Sequence, residues 1–131
     1  MFIDASALVA MIVGEPEAEE FSFRARQAAV RYTSPLATYE AALAISRIRR
    51  APLAETQGVL DRFAARTSIQ IVSITPEIGR LAIETFARFG RGKHPARLNM
   101  GDCFAYACAR DLDVPLLCEG DDFAQTDIRL A

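Results

Sequence analysis

The sequence predicts an α/β fold, with helices around a central, mainly parallel sheet of about four to five short strands. Short apolar runs at residues 1–3, 30–33, 69–74 and 116–118 alternate with longer segments of helical periodicity. Strands separated by helices of that length pair in parallel through crossovers. With 131 residues, 51% of them hydrophobic, and no low-complexity tract, the chain reads as one domain, 1–131, with a core to bury.

The elements follow in order. Residues 1–3 form a buried strand that ends in Asp4 and then Ser6, and residues 7–13 form a helix stopped by Gly14. Pro16 opens a second helix with Glu15, Glu17, Glu19 and Glu20 near its start and Arg24, Arg26 and Arg31 toward its end, the polarity that suits a helix dipole. After the strand at 30–33, Ser34 caps and Pro35 begins a helix running to about Arg50. That helix is expected to bury Leu36, Tyr39, Leu43 and Ile45, with Glu40 in its second turn, and Pro52 follows its end.

Leu53, Val59, Leu60 and Phe63 space a further helix over 52–67, and residues 69–74 are β-branched and alternating. Thr75 and Pro76 repeat the cap signal for a helix carrying Ile78, Leu81, Ala82, Thr85, Phe86 and Phe89, which Gly90 ends. Residues 88–99 are punctuated by glycine and rich in cations, hence a loop. Cys103, Ala105, Cys108, Ala109 and Leu112 then mark a helix with Asp102 at its first position, where an acid acts as an N-cap. A turn over 111–115 leads to the last strand and to Glu119-Gly120-Asp121-Asp122-Phe123.

Several functions are excluded at this level. The three cysteines lack C-x-x-C spacing and sit in apolar sequence, so they read as buried, reduced side chains. A net charge of −2 gives no cationic field of the kind a nucleic-acid coat protein carries. The N-terminal run has no cationic leader and carries Asp4, and no apolar stretch approaches the roughly 20 residues of a membrane span. The expected setting is cytoplasmic, with no membrane partner.

What remains is a set of acids beyond strand ends: Asp4 after the first, Glu40 in the helix after the second, Asp121 or Asp122 after the last, and Asp102 at a helix start. Each alone can be an ordinary cap, turn or solvated acid. Four carboxylates gathered at one sheet edge would repel each other, and a divalent cation resolves that conflict. Oxygen ligands without His or Cys favour Mg²⁺, with Mn²⁺ as substitute, and the chemistry is metal-assisted phosphodiester hydrolysis by activated water. His94 is the only histidine and cannot supply the acid and base of a metal-free ribonuclease. No nucleophile-elbow or P-loop motif is present. Arg91, Lys93 and Arg97, flanked by Arg88 and His94, read either as a solvated loop or as contacts to a phosphate backbone beside the acids.

The stretches Met1-Phe2-Ile3-Asp4-Ala5-Ser6-Ala7-Leu8, Glu40 in its helix, Leu98-Asn99-Met100-Gly101-Asp102-Cys103-Phe104 and Gly120-Asp121-Asp122-Phe123-Ala124-Gln125-Thr126-Asp127 together resemble the PIN-domain ribonuclease toxins of the VapC type. The likeness spans essentially the whole chain. It implies a three-layer α/β/α sandwich and a Mg²⁺- or Mn²⁺-dependent endoribonuclease acting as a toxin. The implied partners are an RNA substrate, a cognate VapB-like antitoxin and a second copy of the chain. It also implies Asp4 and Asp102 as principal metal ligands, Glu40 as a further acid holding metal or water, and Ser6 and Asn99 as supporting hydrogen-bonding groups. Many such domains carry an acid where this chain has Gly120, so Asp122, just before Phe123, is the favoured fourth acid. Two alternatives stand beside this reading: a non-catalytic module whose acidic pocket receives a partner's arginine, and a structure-specific DNA nuclease.

Overall fold

The computed structural model describes residues 1–131. Four short strands, β1 (Phe2–Ile3), β2 (Arg31–Thr33), β3 (Ile69–Ile71) and β4 (Leu116–Leu117), form one sheet in the order β3-β2-β1-β4, with every pair parallel. Six helices surround it: α1 (Ala5–Val13), α2 (Ala18–Gln27), α3 (Pro35–Arg49), α4 (Leu53–Thr67), α5 (Pro76–Phe89) and α6 (Met100–Asp111). A short 3₁₀ turn, Phe123–Gln125, follows β4. Because successive strand residues face opposite ways, Phe2 and Leu116 pack with α5 and α6, whereas Ile3 and Leu117 pack with α1 to α4. These two cores on either face make the expected three layers.

Most boundaries fall where the local chemistry places them. Gly14 ends α1 in a left-handed conformation, φ 84°, which glycine adopts without a Cβ clash. Ser34 and Thr75 cap α3 and α5 through their hydroxyls, each ahead of a proline in the first helical position. Helix α2 starts at Ala18, two residues later than its proline suggested. Its last carbonyls are closed by Arg31, which belongs to β2 and donates to Ala25 O and Ala28 O at 3.1 and 3.2 Å.

Three expectations are corrected. The third strand stops at Ile71, since β3 is the sheet edge and Ile71 is 54% exposed there. Helix α3 turns a different face inward: Ala37, Ala41 and Ile45 are buried, while Tyr39 is 61% exposed and Leu43 also faces solvent. Small alanines let α3 approach closely, and the stripe they form brings the half-buried Glu40 inward beside them. Finally, α5 runs to Phe89 and ends at Gly90 as expected, so the basic loop begins after Gly90 rather than at Arg88.

Candidate carboxylate cleft

Parallel strands place the segments after β1, β2 and β4 at one edge of the sheet, where sites in such folds collect. Asp4 leaves β1 in an extended conformation and is the N-cap of α1. It is buried, 6% exposed, and its Oδ2 accepts from Ser6 N at 3.1 Å and from Ser6 Oγ at 2.6 Å. The Ser6 hydroxyl also accepts from Glu119 N at 3.0 Å, so one side chain ties the segment after β1 to the segment after β4. The Oδ1 of Asp4 takes no protein donor.

Asp102 has a related arrangement with a different position from the one expected. Asn99, extended at φ −85° and ψ −173°, is the N-cap of α6, and Asp102 is the third residue inside. The two form a capping box: Asn99 Oδ1 accepts from Asp102 N at 3.1 Å, and Asp102 Oδ2 accepts from Asn99 N at 2.7 Å. The spacing Asn99-x-x-Asp102 is the signal in the sequence that would have placed the cap one turn earlier. As at Asp4, one carboxylate oxygen satisfies backbone N–H groups and the other is free.

The electrostatics link Glu40 to Asp4 and Asp102, and Asp102 to Asp4 and Asp122. Burial raises the Glu40 carboxyl above its ordinary range, and the charges of Asp4 and Asp102 raise it further. Burial also raises Asp102; its bond from the Asn99 backbone and the Arg91 charge oppose the shift, while Asp4 and Asp122 reinforce it. Cys118 is pushed up to about 12 by burial and then by the charges of Asp4, Asp102 and Asp122. Of the two candidate fourth acids, Asp122 is therefore the one whose charge reaches Asp102. Gly120, at φ 81°, makes the left-handed turn that leads the chain into Asp121 and Asp122.

These donors fit a hard divalent cation. They are carboxylate oxygens, with one unpartnered on Asp4, one on Asp102 and both on the half-buried Glu40, and their mutual repulsion is what bound positive charge would relieve. The thiols are unsuited, since burial pushes Cys103 and Cys108 up to about 11 and Cys118 to about 12. No three His, Cys, Asp or Glu side chains close around a common point, so the acids do not form a finished cage.

In the loop between α5 and α6, Arg91, Lys93 and Arg97 are exposed and take part in no ion pair, and the charge of Arg91 acts on Asp102. Arg88 is not free in this way: it pairs with Asp127 at 2.9 Å and lies over the Phe89 ring. His94 packs edge-on against Phe89, and its Nδ1 accepts from Ala96 N at 3.2 Å. Asp127, which the sequence did not single out, also accepts from the hydroxyl of the buried Tyr106 and so ties the C-terminal segment to α5 and α6.

Comparison with known proteins gives consistent matches. The family model described as PIN domain matches residues 1–129. The chain is 37% identical to a VapC ribonuclease of Rhizobium meliloti, over 97% of this chain and 98% of that protein. It is 38% identical to Ribonuclease VapC30 of Mycobacterium tuberculosis, over 98% of this chain and 95% of that protein. Among solved structures, it is similar in fold to Mycobacterium tuberculosis VapC20, described as a sarcin-ricin loop cleaving toxin, with TM-score 0.77 and 15% identity over 99% and 97% of the two chains. It is likewise similar to a chain of VapBC2 from Rickettsia felis bound to a DNA fragment from their promoter, with TM-score 0.68 and 15% identity over 99% and 96%.

Proposed function

The chain belongs to the PIN-domain family, and from that premise we propose that it is a toxin endoribonuclease that hydrolyses RNA phosphodiester bonds at the carboxylate cleft, with a cognate antitoxin as partner. The observation that carries this reading is the pairing of Asp4 and Asp102. Each spends one oxygen on a helix start and leaves the other free, in a cleft where Glu40 and Asp122 add negative charge. Asp4 and Asp102 would hold Mg²⁺ or Mn²⁺, and the chemistry such an ion supplies when bound is activation of water and neutralisation of charge on the phosphate. Ser6 keeps Asp4 in one orientation, and the capping box does the same for Asp102.

Glu40, whose carboxyl feels the charges of Asp4 and Asp102 beside it, would hold a water and take a proton from it. Arg91, Lys93 and Arg97 would meet the RNA backbone and offset the repulsion between phosphates and acids. The reading extends to a single domain over 1–131 that works in the cytoplasm and pairs with a second copy of itself. No helix is long and apolar enough to cross a membrane.

Asp102→Asn tests the assignment, because asparagine keeps the size and the acceptor for Asn99 N while removing the charge. Purified wild type is expected to cleave RNA in Mg²⁺ or Mn²⁺ and to bind Mn²⁺ saturably in a calorimeter. The variant should melt as a folded protein, lose cleavage by roughly 10²-fold or more and lose most Mn²⁺ affinity. Undiminished metal-dependent cleavage in the variant would refute the role of Asp102. A wild type that binds antitoxin but no Mn²⁺ would instead favour a non-catalytic acidic pocket.

A further inference from the structure

Glu40 comes from α3, which packs against α6, and its carboxylate lies against the first turn of that helix at Gly101. Gly101 is the second residue of α6 and is buried. A methyl group built on it would lie 2.5 Å from Glu40 Cδ and closer still to both carboxylate oxygens. Its three nearest neighbours are thus all atoms of one side chain. Gly79, within α5, has nothing within 4 Å of the same construction. Gly101 has ordinary helical backbone, so no left-handed turn requires a glycine there. Glycine is also the poorest helix former after proline, which leaves room for the Glu40 carboxylate as the physical use of this residue.

We propose that Gly101 is a positioning residue: the volume of its missing side chain is the seat of the Glu40 carboxylate beside Asp4 and Asp102. The inference rests on the cleft being the nuclease site and names what shapes it. The obstruction a methyl would create meets the far end of a flexible side chain, not backbone. A Gly101→Ala protein therefore folds, with Glu40 swung out of its seat.

The test is a cycle of four full-length proteins: wild type, Gly101→Ala, Glu40→Ala and the double variant. With Glu40 present, Gly101→Ala should lower RNA cleavage by about 10²-fold, the effect of displacing a reacting group by an ångström or so. It should also weaken Mn²⁺ binding by about 10–100-fold in calorimetry. In the Glu40→Ala background the same change should leave Mn²⁺ affinity where it was. Melting in chelator gives an independent readout. Without Glu40, Gly101→Ala should raise Tm by about 3–5 °C through helix propensity, and with Glu40 present that gain should shrink or reverse.

Equal effects of Gly101→Ala with and without Glu40, or none in either background, would overturn the proposal. A wild type that neither cleaves RNA nor binds Mn²⁺ would count against the nuclease reading. The melting cycle would still decide whether Glu40 occupies that seat.

Discussion

Glu40 and Asp102 are held in the metal-free cleft as acids whose ionised forms are disfavoured, first by burial and then by their acidic neighbours. Their folded-state pKa values lie above the unfolded ones, so between the two the folded chain binds protons that the unfolded chain does not. The unfavourable contribution is complete above the folded value and disappears as pH falls below the unfolded one. Glu40→Gln should therefore melt above metal-free wild type near neutral pH, and the gap should close toward about pH 4.5. Glu40 is half-exposed, so screening keeps the gap to about 1–3 °C. Saturating Mn²⁺ should erase it by supplying the opposing charge to the wild type. A gap that stays constant across pH in chelator would show that Glu40 carries no such strain.

Among the helices and loops, the polar punctuation was legible and the packing faces were not. Ser34-Pro35, Thr75-Pro76 and Gly14 mark helix ends because caps and glycine conformations are local chemistry. Hydrophobic weight in the sequence points to Tyr39 and Leu43 as the inward face of α3, whereas close approach to neighbouring helices favours Ala37 and Ala41. Asp102 stands out in the sequence as the acid at the start of α6, but the cap there belongs to Asn99. The contacts of Asp127 with Arg88 and Tyr106 join residues too distant in the chain for any periodicity to reveal.

The loop after α5 is an element whose function can be measured. Arg88 is engaged with Asp127 and Phe89, which leaves Arg91, Lys93 and Arg97 as its free cations. Replacing those three with glutamine should weaken RNA binding and lower the slope of log K against log salt by about 2, at roughly 0.7 per single-strand phosphate contact. An unchanged slope would make them solvated surface only.

At the scale of the whole molecule, short parallel strands bring segments 113 residues apart, Ser6 and Glu119, into hydrogen-bonding contact at one edge. Each acid has an ordinary local explanation, and only the topology makes them one cleft. That is why spacing along the chain could nominate them and the fold was needed to join them. The same topology leaves the molecule's single histidine packed on Phe89, with one ring nitrogen accepting from backbone, and it offers no second imidazole. RNA cleavage by attack of the ribose 2′-hydroxyl requires a general base and a general acid and leaves a 2′,3′-cyclic phosphate. Cleavage by activated water at a carboxylate cleft leaves none. The most direct measurement is the chemistry of the new RNA ends after cleavage by the purified protein in Mg²⁺ or Mn²⁺. The expected ends carry no cyclic phosphate and do not form when the metal is chelated; cyclic phosphate ends, formed equally well in chelator, would contradict the account.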